Sequence, residues 1–333
     1  MSDVLLACLF ALAAVTSLAS SWALVSSLGR IGARLGFSEA LLGMVTALAA
    51  DAPEITASVT ALAAHDHSVG AGVAIGSNVF NLAALLGLSA VVAGEIALHR
   101  RVILLNGAVA VWISAVCLVV VVGVVSPVAG LLAALAVFLP YLGILGVRRA
   151  RLLQVRIPRS WSRWLAGAVH EEELELEVAI HPRRGGAKDA VTAAIALAVV
   201  VGASVAMEHT ATRLGARHAV PGIVVGGLVL AAVTSLPNAV AGVYWAAQGR
   251  GAVVLSTALN SNAINVVAGL LLPASLLGLG SPSASATFLA TASAVLTAIV
   301  LVLAYRHRGL RRPAGALIVA GYLAVVAVML ATT

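Results

Sequence analysis

Two carboxylates, Asp51 and Glu54, are the only charged residues between positions 40 and 64 of an apolar stretch. Residues three apart lie on one face of a helix, so the two side chains would face the same neighbours. A charge in a hydrocarbon setting costs at least roughly 2.5 kcal/mol, so such a pair is typical of a functional site. The chemistry that two adjacent buried carboxylates offer is the binding of a cation or a proton.

The surroundings of this pair recur 184 residues later without the carboxylates. The first copy reads Ala-Ala-Asp-Ala-Pro-Glu at 49–54 and Gly-Ser-Asn-Val-Phe-Asn at 76–81. The second reads Val-Thr-Ser-Leu-Pro-Asn at 233–238 and Asn-Ser-Asn-Ala-Ile-Asn at 260–265. A proline and a Ser-Asn-x-x-Asn string at the same spacing, inside apolar runs, indicate an internal repeat and predict a site between its two copies.

The repeated residues predict a site made of oxygen ligands. A proline inside a helix frees carbonyl oxygens one turn back, and such backbone is tolerated in a membrane where it binds an ion. Hard cations such as Ca²⁺ and Na⁺ take oxygen ligands, about six to eight for Ca²⁺. The predicted ion-binding residues are Asp51, Glu54, Ser77, Asn81, Thr234, Ser235, Asn238, Ser261 and Asn265. The predicted direct metal ligands among them are Asp51, Glu54, Asn81, Asn238 and Asn265.

Two further asparagines of the repeat, Asn78 and Asn262, have a structural interpretation. Polar residues in membrane helices often serve close helix packing and interhelical hydrogen bonds, and that role is favoured for these two.

The composition predicts that these residues belong to an integral membrane protein. Apolar residues form 61% of the 333 residues and charged residues only 10%, against about 25% charged residues in soluble domains. We recognise no cleavable signal peptide, and Cys8 and Cys117 both fall in apolar runs. Ten membrane spans are predicted, near 4–28, 38–64, 69–94, 102–124, 127–147, 189–207, 219–247, 252–279, 284–304 and 313–332.

The basic residues predict the orientation of these spans. Nearly all Lys and Arg residues fall in alternate loops, and the other loops contain only Arg213 and Arg217. The basic loops are therefore expected in the cytoplasm and both termini outside. Five spans per half give the second half the opposite orientation, so the predicted fold class is an all-α bundle of two inverted five-helix repeats. The predicted organisation is a first repeat over 1–147, a cytoplasmic loop over 148–188 and a second repeat over 189–333, in the plasma membrane.

The repeated strings resemble the sodium/calcium exchanger family, within the calcium/cation antiporter superfamily. Each half of that family carries an alpha-repeat of the form Gly-Thr-Ser-x-Pro-Glu, followed by Gly-Ser-Asn-x-x-Asn or a close variant. The resemblance implies a secondary antiporter that exchanges Ca²⁺ for Na⁺ or H⁺ by alternating access and needs no cofactor. It places the ion-binding positions on the nine residues named above, and it implies that the first and sixth helices slide past the core.

Three departures from that pattern leave the transported ion open. Asn238 stands where the family has a glutamate, Asn265 where an aspartate is frequent, and Asp51 where a hydroxyl residue is usual. The two carboxylates together still balance one Ca²⁺. They also repel each other, and burial penalises their charge, so one is expected to hold a proton when the site is empty. Exchange of another divalent cation or of a monovalent cation for protons stays an alternative.

Three other classes of function fit the sequence less well than an antiporter. A passive channel is disfavoured because an inverted repeat indicates alternating access rather than a pore. An intramembrane enzyme is disfavoured because all eight His lie in or beside loops, and no catalytic residue is assigned. A non-transporting relative stays an alternative because of Asn238. The expected partners are the lipid bilayer and cations, not nucleic acid, and a monomer is sufficient.

The central loop is predicted to contact the membrane surface. Trp161 and Trp164 lie among basic residues, a pattern typical of an interfacial helix. The acidic run at 171–177 is interpreted as a solvated charged segment, and a weak cytoplasmic Ca²⁺ sensor stays the alternative.

Overall fold

The structure, a computed structural model, describes residues 1–37, 39–146, 158–179 and 185–332. Helices dominate because a backbone in an apolar setting must pair its own N–H and C=O groups. The α-helices are α1 (Asp3–Leu35), α2 (Glu39–Ala50), α3 (Ala52–Ala63), α4 (His67–Asn81), α5 (Ser89–Ala93), α6 (Arg100–Val121), α7 (Pro127–Gly146), α8 (Arg159–Ala179), α9 (Ala187–Arg217), α10 (Gly222–Val224), α11 (Ala231–Thr234), α12 (Leu236–Ala247), α13 (Gly251–Ile264), α14 (Leu272–Leu277), α15 (Ala284–His307) and α16 (Arg312–Ala331). Three π-helical segments, Leu82–Leu88, Val225–Leu230 and Asn265–Leu271, join neighbouring helices, and β1 (Glu95–Ala97) pairs antiparallel with β2 (Gly309–Arg311).

The elements follow the same order in the two halves of the chain. Each half begins with a long helix, α1 or α9, and these two pack along each other. A helix broken by one residue comes next, then a helix that passes through a π-helical segment into a short helix, then two further helices. The order of elements thus matches the repeat of the sequence, whereas the inverted orientation of the halves in a membrane stays a prediction.

The two breaks have the same backbone geometry. Asp51 separates α2 from α3 with φ −83° and ψ −1°, and Ser235 separates α11 from α12 with φ −86° and ψ −1°. Pro53 and Pro237 each lie in the first turn of the helix that follows, where a missing N–H leaves no hydrogen bond unmade. The prolines therefore start new helices, and the axis bends by 47° between Gly222–Thr234 and Leu236–Ala247.

Among the described residues, eight helices are long and apolar enough to cross a membrane, or nine if the bent pair at Ser235 is one span. The predicted span 38–64 consists instead of two helices of 12 residues each. A helix of that length reaches only about 18 Å, less than the hydrocarbon core of about 30 Å. Ten crossings therefore stay a prediction, which requires α2 and α3 to cross together.

The first and sixth predicted spans end too early. Helix α1 continues past residue 28 to Leu35, so Arg30 and Arg34, which were expected in a loop, lie in its last turns. The sixth span was expected to end near residue 207, but α9 continues to Arg217 because no proline interrupts it before Pro221. The extension places Glu208 inside the helix, where it is 1% exposed. Arg213 and Arg217, which were expected in a loop, lie in the last turns of α9.

The central loop contains a helix, as its pattern predicted. Helix α8 carries an exposed Trp161 and a buried Val169, and it packs against α2, α6 and α13. Its position at a membrane surface stays a prediction. Residues 147–157 and 180–184 lie outside the described residues.

Helices α4 and α13 form the most buried part of the bundle. Glycines allow α4 to pack directly on the backbone of the segment at Val225–Leu230. A Cβ atom at Gly72 would lie 2.8 Å from the backbone nitrogen of Gly227, and one at Gly76 would collide with the same residue. Such close backbone contact between helices requires small residues.

Contacts between the ends of helices define two faces of the bundle. On the first, here called the basic face, Arg30 forms an ion pair with Asp189 at 2.6 Å, and β1 pairs with β2. On the opposite face, Asp3 forms an ion pair with Arg217 at 2.6 Å, and Thr332 lines a cavity together with Ile223.

Candidate cation-binding site

The two helix breaks bring Asp51 and Glu54 against the second half of the chain. The hydroxyl of Ser235 donates a hydrogen bond to Oε1 of Glu54 at 2.9 Å, and Nδ2 of Asn238 donates to Oδ1 of Asp51 at 2.9 Å. None of the four residues is more than 4% exposed. Two carboxylates and their polar partners are therefore enclosed between the halves.

The bonds cross between the halves in a symmetric way. Asp51 and Ser235 occupy the matching breaks, whereas Glu54 and Asn238 lie one turn into the matching helices α3 and α12. The break residue of each half bonds to the first-turn residue of the other half. Two equivalent units that face each other are expected to contact in this manner.

A second layer of polar residues comes from α4 and from the junction of α13 with its π-helical segment. Ser77, Asn81, Ser261 and Asn265 are all 0% exposed. π-helical segments frequently occur at functional sites, because they shift the register of side chains along a helix. Both helices place their Ser and Asn in the turn that precedes or opens such a segment.

Six buried oxygen atoms of these two layers have no hydrogen-bond partner within the part of the chain that the structure describes. They are Oδ2 of Asp51, Oε2 of Glu54, Oγ of Ser77, Oδ1 of Asn81, Oγ of Ser261 and Oδ1 of Asn265. Buried polar atoms nearly always have a partner, so a concentration of unpaired oxygens calls for a ligand. A hard cation fits, because it coordinates oxygen atoms of this kind.

No ion pair among the described residues balances the charge of Asp51 or Glu54. The ion pairs there join other residues, such as Arg30 with Asp189 and Asp3 with Arg217. A buried carboxylate without a counter-ion is costly. The centre therefore favours positive charge, from a bound cation or from protons.

Hydrogen bonds between the halves join four of the nine predicted ion-binding residues, Asp51, Glu54, Ser235 and Asn238. Four more, Ser77, Asn81, Ser261 and Asn265, are buried on α4 and at the end of α13, and α4 packs against α3. The ninth, Thr234, is 1% exposed and lies beside the break. Its hydroxyl donates to the carbonyl oxygens of Leu230 and Ala231 on its own helix, at 2.9 and 3.3 Å. Among the bonds described, none joins it to another residue of the site, so its role as an ion ligand stays a prediction.

A cavity of about 310 Å³ reaches the site from the side of α1 and α2. Its lining includes Ser21, Trp22, Thr46, Asn238 and Trp245. Asn238 is therefore the residue of the site that a solute in this cavity would meet. A larger cavity, of about 870 Å³, is formed by the loops around His67 and Gly280 and contains none of the predicted site residues.

Sequence reasoning missed two buried features. The hydroxyl of Tyr141 lies 2.6 Å from Oδ1 of Asn106 and 2.9 Å from Oδ1 of Asn260, next to Ser261. The signal was a tyrosine and two asparagines in apolar runs, but their pairing requires three helices to meet. Glu208 was missed because the predicted span ended at residue 207, one residue before it, whereas α9 continues to Arg217.

The family model of the sodium/calcium exchanger protein matches this chain over residues 5–149 and 188–331. The two matched segments correspond to the two halves and omit most of the central loop. No protein with a curated description matches the chain by sequence.

Solved exchanger structures share this fold. The sodium-calcium exchanger NCX_Mj, soaked with 100 mM Na⁺ and 10 mM Sr²⁺, superposes with a TM-score of 0.64 at 20% identity, over 98% of this chain and 99% of that chain. The same exchanger soaked without Na⁺ and Ca²⁺ gives a TM-score of 0.61 at 19% identity, over 98% and 100% of the chains. The H⁺/Ca²⁺ exchanger CAX gives a TM-score of 0.70 at 11% identity, over 98% of this chain and 86% of that chain. At these identities the likeness shows the fold alone.

Proposed function

Because this chain belongs to the sodium/calcium exchanger protein family, we propose that it is a secondary active cation antiporter. Its cargo binds between the two halves, on buried oxygens of Asp51 at the helix break, of α3 and α4, and of α13 with the π-helical segment that follows it. The observation that carries this proposal is the group of six unpaired oxygen atoms there. Such a site, enclosed between two repeats, suits alternating access.

Ca²⁺ is the proposed cargo. Two carboxylates balance one divalent cation, and four neutral oxygens from Ser and Asn complete a set of six, within the usual range for Ca²⁺. The donor atoms are all oxygens, which suits a hard cation rather than a soft metal that prefers sulfur. The site has no cofactor in this proposal, since the ions are its substrates.

The driving ion is Na⁺ or H⁺. Na⁺ takes the same oxygen donors as Ca²⁺, and the solved neighbours include both a sodium-calcium exchanger and an H⁺/Ca²⁺ exchanger. Both carboxylates of this chain come from one half and lie three residues apart, so their repulsion favours proton uptake when Ca²⁺ leaves. That placement supports H⁺ as a driving ion beside Na⁺.

The proposal includes ten crossings in the plasma membrane, both termini outside and residues 148–188 in the cytoplasm. The grouping of loops into a basic face and an opposite face supports it. A monomer is sufficient, because one chain supplies both halves of the site.

The site assignment is tested in proteoliposomes by replacing Glu54→Gln. The substitution keeps the volume of the side chain but removes one of two charges, so Ca²⁺ uptake should fall at least about tenfold. Glu95→Gln is the matched control, because Glu95 is an exposed residue of β1. Uptake by Glu54→Gln equal to that of the Glu95→Gln control would refute the site.

The driving ion is tested by loading the vesicles with Ca²⁺-free buffer and imposing either a Na⁺ gradient or a pH gradient. A Ca²⁺ flux that follows only the Na⁺ gradient identifies a Na⁺ exchanger, and one that follows only the pH gradient identifies a proton exchanger. Ca²⁺ flux that depends on neither gradient would replace the antiporter with a channel.

Sidedness is tested by labelling one added cysteine at a time in a Cys8→Ser background, in which the remaining Cys117 is buried. Trp161 and Ser281 are both exposed and lie in α8 and in the loop before α15. A cysteine at 161 should react only with reagents that enter the cell, and one at 281 should react with impermeant reagents. The opposite result would reverse the proposed orientation.

A further inference from the structure

Asn78 and Asn262 form a reciprocal hydrogen-bonded contact between the two halves. Nδ2 of Asn78 donates to the backbone oxygen of Asn262 at 3.2 Å, and Nδ2 of Asn262 donates to the backbone oxygen of Asn78 at 3.1 Å. Both side chains are buried, at 3% and 6% exposure. We call this pair the asparagine clasp.

The two hydrogen bonds of the clasp determine how the side-chain amides of Asn78 and Asn262 are oriented. A backbone carbonyl only accepts hydrogen bonds, so each clasp residue must present its NH₂ group to the carbonyl of its partner. The amide oxygen of each clasp residue then lies on the other side of the amide. That oxygen is an acceptor only, and it needs a donor in this buried setting.

The donors are the asparagines of the site, and they come from the opposite half. Nδ2 of Asn81 donates to Oδ1 of Asn262 at 3.2 Å, and Nδ2 of Asn265 donates to Oδ1 of Asn78 at 3.3 Å. Since the nitrogens of Asn81 and Asn265 are held in this way, their Oδ1 atoms lie on the remaining side of each amide. Both Oδ1 atoms are buried and without a hydrogen-bond partner among the described residues.

We propose that Asn78 and Asn262 are positioning residues that orient Asn265 and Asn81 across the halves, so that amide oxygens and not NH₂ groups face the cation. The inference rests on the proposed cation site and deepens it. Each half orients a ligand that belongs to the other half. A site assembled from one half alone would lack this orientation, and a reversed amide would direct partial positive charge toward the cation.

The crossed pattern gives a test that a purely structural role would not satisfy. The Ca²⁺ concentration for half-maximal uptake is measured for the single variants Asn78→Ala, Asn81→Ala and Asn265→Ala. It is also measured for two double variants, Asn78→Ala with Asn265→Ala and Asn78→Ala with Asn81→Ala. Each single variant should raise that concentration by about tenfold, equivalent to the loss of one oriented ligand. Asn78 acts through Asn265, so the double variant of these two should be no worse than Asn265→Ala alone.

Asn78 and Asn81, which no described hydrogen bond joins, are the control pair. Asn78→Ala and Asn81→Ala affect different ligands, so their fold-changes should multiply. The same test can be made from the other half if one clasp variant does not fold. There the bonded pair is Asn262→Ala with Asn81→Ala, and the control pair is Asn262→Ala with Asn265→Ala. Fold-changes that multiply equally in the crossed and uncrossed pairs would overturn the clasp proposal.

The result separates this inference from the proposed function. If Glu54→Gln is inactive while the crossed pairs show no coupling, the cation site stands and the positioning role fails. If Glu54→Gln transports Ca²⁺ normally, the site itself is refuted.

Discussion

The two halves of this protein share a backbone but differ in charge at the point where they meet. Asp51 and Ser235 break their helices with nearly equal backbone angles, and each bonds to the residue one helical turn into the other half. The first half supplies both carboxylates, whereas the second supplies a hydroxyl and an amide. The repeat therefore determines where the ligands lie, and individual side chains determine which ions they suit.

The two halves also differ at the position before the repeated serine, which is Gly76 in the first half and Asn260 in the second. Gly76 of the first half packs on the backbone of Gly227, whereas the matching position of the second half is Asn260, whose amide oxygen lies 2.9 Å from the hydroxyl of Tyr141. The first half uses this position for close packing. The second half uses it for a polar contact next to Ser261.

The largest expected effect comes from removing the charge of the first half. Asp51→Asn combined with Glu54→Gln should reduce Ca²⁺ uptake by more than about 100-fold, because the site loses its whole negative charge. The matching change in the second half, Ser235→Ala with Asn238→Ala, removes two uncharged polar side chains but keeps both carboxylates, and it should cost about tenfold. Equal losses in the two flux measurements would contradict the charge asymmetry.

The next effect concerns packing between the halves. Gly76→Ala should destabilise the protein by about 1–3 kcal/mol, because its Cβ atom collides with the backbone of Gly227. Gly202→Ala is the matched control in helix α9, where a Cβ atom meets nothing within 4 Å. Thermal unfolding in detergent compares the two, and equal midpoints would show that the crossing at Gly76 tolerates a side chain.

Moving one carboxylate from the first half to the second tests whether its position matters. Asp51→Ser combined with Asn238→Glu keeps two carboxylates but places one in each half. Ca²⁺ uptake should stay within about tenfold of the wild type, since the total charge and the number of oxygen donors are kept. Proton coupling should weaken, because the carboxylates are no longer three residues apart, and flux driven by a pH gradient measures that change. A double variant without Ca²⁺ uptake would show that the position of the charge matters as much as its amount.

The smallest expected effect is that of Tyr141→Phe. The loss of its hydroxyl removes a contact to Asn260 and should cost about 0.6 kcal/mol, the average for hydrogen bonds in a membrane protein. Half-maximal uptake should then shift by no more than about threefold. A shift of tenfold or more would assign Tyr141 a direct part in holding the cation site.

Much of the site was predictable because its signals are local. Asp51 and Glu54 are conspicuous in a stretch without other charges, and Pro53 and Pro237 mark the two breaks by their chemistry. The repeated Ser-Asn-x-x-Asn spacing gave Ser77, Asn81, Ser261 and Asn265, which the structure places in the second buried layer. The end of α9 was misplaced because the apolar run stops at Glu208, whereas the helix continues to Arg217, shortly before Pro221.

Composition, proline and residue spacing act locally. They therefore establish from the sequence which oxygens are present, where the helices are interrupted and that the two halves are related. Tertiary structure alone decided the crossed bonds between Asp51 and Asn238 and between Glu54 and Ser235. It also decided which amide atoms face the centre, through the clasp of Asn78 and Asn262. The physical reason is that an asparagine offers an oxygen and a nitrogen of similar size, and only its neighbours across the interface determine which of them faces the ion.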